Sequence, residues 1–170
     1  MIIKELPSYQ TLLAYARRYP VMDIQVCEAY LHIVRTGAIL HHYAEQSLAR
    51  IGLSYGRFMI LSLLTRSDTP VPVCKLAEMA CVTTPTVSAV LAGMVRDGLV
   101  ERITDPSDRR VVRIGLRPEG QKVLDDVVPG LLEHQTEVMA GLDDRELKTV
   151  VALLSKVRLD AGLCAKESTS

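Results

Sequence analysis

The sequence predicts a mainly α-helical fold with one small β-hairpin. Apolar residues recur at helical spacing through most of the 170 residues. Two runs rich in β-branched residues, 99–104 and 111–116, flank the polar turn TDPSDRR. Prolines stand where helices are expected to start or stop, at Pro20, Pro85 and Pro118.

The elements follow in order. SYQTLLAYARR reads as a short helix that ends before Pro20. Asp23 is placed to cap a long proline-free helix reaching about Arg50. Ile24, Leu31, Val34, Ala38 and Leu48 form one apolar stripe of that helix. Val26, Ile33, Leu40 and Ala44 form a second. A helix apolar on two sides needs partners on two sides, which suits association.

Gly52 closes this helix, and Ser54 caps a third that carries Phe58, Leu61 and Leu64. SDTPVPV is a turn into a short extended piece, because its prolines exclude a helix. A short helix spans about 74–80. Another starts with Thr84 as its cap and Pro85 as its first residue, and buries Val87, Val90, Leu91 and Met94. Asp97-Gly98 stops it. After the hairpin, Pro118 opens a helix that Pro129-Gly130 is expected to kink or interrupt before it resumes to about Ala140. Asp143 and Glu146 have capping-box spacing for a last helix bearing Leu147, Val150, Val151, Leu154 and Val157.

Composition bounds the function. Hydrophobic residues make up 48% of the chain, with no Trp and one Phe, so the core is aliphatic. The first ten residues show no secretory signal pattern, and no apolar run reaches bilayer length, so a soluble cytoplasmic protein is expected. Cys27, Cys74, Cys81 and Cys164 include no CxxC pair and are expected to be thiols. The net charge of zero is unevenly distributed: residues 118–147 carry two basic and eight acidic side chains, whereas residues 83–117 carry six basic and four acidic. Neutrality therefore does not exclude nucleic acid.

Two short helices joined by a tight turn, the second followed by a hairpin, make a winged helix-turn-helix. Ala77 supplies the small residue where the first helix backs onto the second. The turn begins at Cys81, where such motifs most often have Gly. The outer face of the second helix is small and nearly uncharged, with Thr83, Thr84, Pro85, Thr86, Ser88, Ala89, Ala92 and Arg96. Such a face lets a helix approach base edges closely in a major groove. Arg109 and Arg110 at the turn are placed to probe a minor groove, with Asp108 bracing one guanidinium. Arg102 and Arg113 on the strands can reach phosphates.

These residues carry a resemblance. The stretches GLSYGRFMILSLL, KLAEMACVTTPTVSAVLAGMVRDGLVERI, DPSDRRVVRIGLRPEGQKVL and AGLDDRELKTVVALLSKV resemble the multiple-antibiotic-resistance regulator (MarR) family of bacterial transcription factors. The most specific piece is Asp108-x-Arg110 with the strand and helix start behind it. The resemblance implies an obligate homodimer with interleaved terminal helices and two wings on a pseudo-palindromic DNA operator. It also implies Arg110, more than Arg109, as the minor-groove residue, and a repressor released by a small aromatic or phenolic anion. Candidate effector-lining residues are Tyr30, Arg35, His41, His42, Tyr43 and Arg57. The expected organisation is an extension over 1–22, dimerisation helices over 23–54 and 118–163, a DNA-binding domain over 55–117 and a flexible tail over 164–170. Departures from the family pattern are Cys81, Arg117 where Thr is usual, Gly56-Arg57 where Pro-Gln is usual, and a longer amino terminus.

Other readings are weighed on the same residues. A thiol redox sensor of this fold would use Cys27 with Tyr43 and Tyr55, but their spacing is off by about one helical turn, and a lone cysteine usually packs as a small hydrophobe. A winged helix that only docks proteins has no need of arginines clustered around Asp108. An enzyme is not expected, because there is no GxSxG elbow, phosphate-cradling loop or recognisable triad. His32, His41, His42 and His134 show no local metal signature, so neither metal nor cofactor is expected.

Overall fold

A computed structural model describes residues 5–104 and 111–160. The wing-tip residues Asp108, Arg109 and Arg110, and Cys164, lie outside this described set. The chain divides into two compact units, 1–52 and 53–170.

The first unit holds α1 (Tyr9–Arg18) and α2 (Ile24–Ala49). Ser8 caps α1 by accepting from the Thr11 N–H at 3.3 Å, and Asp23 caps α2 by accepting from the Val26 N–H at 3.1 Å. Leu12 and Leu48 are buried. Both expected apolar stripes of α2 leave residues open: Val26, Ile33 and Val34 are exposed, as are Tyr30 and Tyr43.

The second unit is built around α3 (Tyr55–Leu64), β1 (Val71–Pro72), α4 (Val73–Met79), α5 (Thr84–Arg96), β2 (Val100–Thr104) and β3 (Val112–Leu116). The antiparallel sheet has the order β1-β3-β2, with Val71 and Arg102 both opposite Ile114. The extended piece expected after SDTP is thus the third strand of a sheet. Ile60, Leu61, Leu63 and Leu64 of α3 meet Leu76 and Ala77 of α4, Val87, Leu91 and Met94 of α5, and Val100 and Ile114 of the sheet in one core. This core is aliphatic apart from Met94.

The turn between α4 and α5 bends the chain by 112°, within the range of a helix-turn-helix. Its geometry follows from one residue. Cys81 has φ +53° and is the one non-glycine residue with positive φ among those described. Behind it the Val82 N–H donates to the Ala77 carbonyl at 3.0 Å, and the Cys81 N–H to the Glu78 carbonyl at 3.1 Å. That pair is a Schellman closure, which requires a left-handed residue at the position Cys81 fills. The same closure ends α5, with Gly98 at φ +73°, Leu99 donating to Met94 and Gly98 to Val95.

The cap of α5 is Thr83, one residue earlier than the sequence suggests. Its hydroxyl accepts from the Thr86 N–H at 3.4 Å, while Thr84 is already helical. Both threonines can cap, and Pro85 is tolerated at either of the first two helical positions.

α6 (Pro118–Met139) and α7 (Asp144–Asp160) complete the unit. Of the expected kink or interruption at Pro129-Gly130, the interruption is absent: α6 runs on through Pro129. Proline forfeits one backbone hydrogen bond there, and Val127 and Leu131 on either side are buried, so packing favours continuing the helix. Asp143 and Glu146 form the expected reciprocal box: Glu146 N–H to Asp143 Oδ1 at 2.8 Å, and Asp143 N–H to Glu146 Oε2 at 2.9 Å. No described side chain of α7 is buried, and Val150, Val151, Leu153 and Val157 are exposed.

Gly120 seals the start of α6 against the core. A β-carbon there would stand 2.3 Å from the Leu99 carbonyl oxygen and 2.8 Å from Leu116. Backbone cannot give way as a flexible side chain can. Two outcomes are expected in thermal or urea denaturation. Gly120→Ala lowers stability by about 1–3 kcal/mol through overpacking. Cys81→Gly raises it by about 0.5–1 kcal/mol, because relief of the left-handed strain exceeds the added unfolded-state entropy.

Candidate nucleic-acid interface

Burial of Val87, Leu91 and Met94 turns the opposite face of α5 to solvent. Thr83, Thr84, Pro85, Thr86, Ala89, Ala92 and Arg96 are exposed there, and Ser88 is half-buried beside them. The Thr83 and Thr86 hydroxyls lie 2.8 Å apart. One donates to the other, so a single O–H proton of the pair remains to donate outward. It does so at a helix N-terminus, where the helix dipole favours an anion.

The cleft between α5 and the wing has a volume of about 340 Å³. It is lined by Thr84 and Ser88 of α5, Arg102, Val111 and Val112 of the wing, and Pro72, Val73 and Cys74. Two hydroxyl-bearing residues and one arginine therefore share this cleft with apolar neighbours. A helix seated in a major groove and a wing in the adjacent minor groove would straddle a sugar-phosphate ridge. This cleft has the chemistry for such a ridge: donors for phosphate oxygens and apolar surface for deoxyribose.

The strand arginines do not act together. Residues paired across antiparallel strands share a face, and neighbours along a strand alternate. Arg102 pairs with Ile114, on the face toward α5, whereas Arg113 pairs with Ile103 on the other face. Arg113 is half-buried, and its Nη1 donates to the Pro70 carbonyl at 3.4 Å. It braces the end of β1.

Arg96 is 78% exposed, and its Nε donates to Asp97 Oδ1 at 3.2 Å. Asp97, the C-cap of α5, is also held by Arg57, whose Nη2 lies 2.7 Å from Oδ2. The sequence sets Arg57 among the effector-lining candidates and gives Asp97 only the role of a helix stop. The available signal was Gly93, a helix-interior glycine that needs a reason. The structure supplies it: a β-carbon at 93 would come 2.6 Å from Arg57 Nη2.

The other effector candidates all lie on α2. Tyr30 and His41 share one side of the helix, and Arg35 and His42 another. His41 is 3.4 Å from Glu45, and His42 is 3.0 Å from the Gln46 side-chain amide. Cys27 is a half-buried thiol on the same helix. Among the described residues no three His, Cys, Asp or Glu side chains converge to hold a metal. No single described helix is long and apolar enough to cross a bilayer.

A three-stranded sheet with its hairpin wing against a helix-turn-helix, offering a small polar helix face beside an arginine-lined cleft, defines the winged-helix class. The comparisons narrow it. The MarR family model matches residues 53–112. The HTH-type transcriptional repressor YetL of Bacillus subtilis is 32% identical over 155 residues, covering 91% of this chain and 93% of its own. The homoprotocatechuate degradative operon repressor of Escherichia coli is 26% identical over 114 residues, 67% of this chain and 76% of its own. The structure of the M. tuberculosis transcriptional regulator MOSR in complex with DNA superposes with a TM-score of 0.62 at 27% identity, covering 78% of this chain and 97% of that one. The chain belongs to the MarR family of helix-turn-helix transcriptional regulators, and its relatives are regulators rather than enzymes.

The Asp97 carboxyl is held below the ordinary carboxylate range, first by the Arg96 hydrogen bond and then by that of Arg57. A carboxyl lowered on folding adds stability that is present above its unfolded value and lost as pH falls through the folded one. Asp97→Asn removes this contribution. In melts across a pH series, wild type and variant are expected to differ most at neutral pH and to converge on acidification below about pH 4.

Proposed function

We propose that the protein is a homodimeric repressor that reads a pseudo-palindromic DNA operator through two α5 helices and two wings, and lets go when a small aromatic or phenolic anion binds. The observation that carries the DNA reading is the cleft in which Thr84 and Ser88 of α5 face Arg102 of the wing. A DNA complex of a relative with the same fold supports it. In this reading Thr83, Thr84, Pro85, Thr86, Ser88, Ala89 and Arg96 form the major-groove surface. Arg102 takes a backbone phosphate, and Arg109 and Arg110 with Asp108 enter the minor groove. Arg113 contributes indirectly, by holding β1 against the wing.

The apolar side chains left open on α2 and α7 support the dimer, since two such helix faces call for a partner of like character. A twofold pair spaces its reading helices about 34 Å apart, one DNA turn. An effector acts only by favouring a dimer geometry in which that spacing is wrong. The aromatic acid named by the Escherichia coli repressor supports the chemical class of effector, with Tyr30, Arg35, His41, His42 and Tyr43 as the residues to test. Such a regulator works in the cytoplasm, where its cysteines remain thiols.

Fluorescence anisotropy with a duplex enriched from a random library by the wild-type chain tests the interface. Arg102→Ala is expected to weaken binding to all sequences alike and to reduce the salt slope by about 1. Ser88→Glu is expected to abolish preference for the enriched duplex. Unchanged affinity in both variants would remove this face from the DNA.

A further inference from the structure

We infer that Arg57, Gly93 and Asp97 form a clasp that sets the pose of α5 and the wing together, making Arg57 a positioning residue for DNA sequence selectivity rather than an effector contact. The inference rests on the operator-reading proposal above and assigns it a further part. Arg57 lies in the first turn of α3, where its N–H donates to the capping Ser54 hydroxyl at 3.4 Å. Its side chain leaves α3, passes over the bare backbone of Gly93 and ends on Asp97 at 2.7 Å.

The position of Asp97 gives the contact its leverage. It is the C-cap of α5, Gly98 follows in the left-handed region, and the Leu99 N–H closes back on Met94 before β2 starts at Val100. One carboxylate therefore marks the point where the reading helix becomes the wing. A negative charge at a helix C-terminus is unfavourable on its own, because it faces the negative end of the dipole. Arg57 and Arg96 offset that penalty, but unequally in geometry. Arg96 is 78% exposed and belongs to α5 itself, so it cannot orient the helix against anything else. Arg57 is 24% exposed and comes from another helix, so its pairing fixes α5 relative to α3.

Gly93 is the third part. An interior glycine weakens a helix relative to alanine, yet here it leaves room for the Arg57 Nη2, which a β-carbon would meet at 2.6 Å. The buried packing of Ile60, Leu61 and Leu64 of α3 with Val87 and Leu91 of α5 in the core is apolar and non-directional. A β-carbon added at Gly56 would stand an ordinary 3.7 Å from Val90 Cγ2. The ion pair adds direction: it resists rolling of α5 about its axis, the motion that would swing Thr84 and Ser88 away from Arg102.

The test uses the full chain, the duplex that the wild type enriches from a random library, and a scrambled duplex of the same composition. For Arg57→Gln, Arg57→Lys, Gly93→Ala and the Arg57→Gln/Gly93→Ala double variant, melting temperature and both affinities are measured. Gly93→Ala is expected to melt at or above the wild type, because alanine is the better helix former, yet to lose about tenfold in the ratio of enriched to scrambled affinity. Arg57→Gln is expected to lose about as much, Arg57→Lys to recover part, and the double variant to lose no more than either single change, since all act on one contact. Equal losses on both duplexes, multiplying losses in the double variant, or a ratio within about twofold of wild type in Arg57→Gln would each overturn the clasp. If the wild type enriches no sequence, the operator reading falls and the clasp falls with it. If it does and the ratio survives Arg57→Gln, only the clasp falls.

Discussion

Everything the second unit offers its surroundings depends on how α5 is pinned at its ends. Each flank of the helix has a left-handed residue with a Schellman closure, Cys81 before it and Gly98 after it. The first sets the 112° bend from α4, which brings Val87 and Leu91 down onto Leu76 and Ala77. The second reverses the chain into β2 within two residues. Between these two constraints, burial of Val87, Leu91 and Met94 turns one face of α5 to the core. Only then does the face of threonines, serine and alanine point away from the protein. Surface chemistry is thus set by apolar packing on the far side of the same helix.

Charge is arranged with similar economy. The chain as a whole is neutral, and the acidic excess falls within residues 118–147, on α6 and the turn into α7. The stretch that makes α5 and the wing, 83–117, carries six basic and four acidic side chains, the reverse of the balance in 118–147. Segregation of sign, rather than net charge, decides whether such a molecule can approach a polyanion. A long-range field is weak in this design, so contacts made at close range by hydroxyls, small side chains and Arg102 matter more than attraction from afar.

Much of this was legible from residue patterns. The order of helices, the capping residues Asp23 and Ser54, the reciprocal box at Asp143 and Glu146, and the hairpin all follow from local chemistry that spacing reveals. What escaped depends on contacts between distant parts of the chain. Thr83 and Thr84 are equally able caps, so tertiary packing chose between them. β1 is two residues long and exists only because β3 lies alongside. Proline at 129 looks like a break until the burial of its neighbours is known. Arg57 shows its residue type but not its partner forty residues on. Arg102 and Arg113 look equivalent until strand register puts them on opposite faces of the sheet.

The exposed valines and leucine of α7 have one further implication. A helix with little buried of its own borrows its stability from whatever covers it, and in the homodimer reading that cover is a second chain. Folding and association then become one equilibrium, so persistence of the folded form depends on how many copies the cell holds. Dilution after growth or division would loosen the regulator itself as well as thin its numbers. Occupancy of a target site would therefore respond to abundance more steeply than simple binding allows.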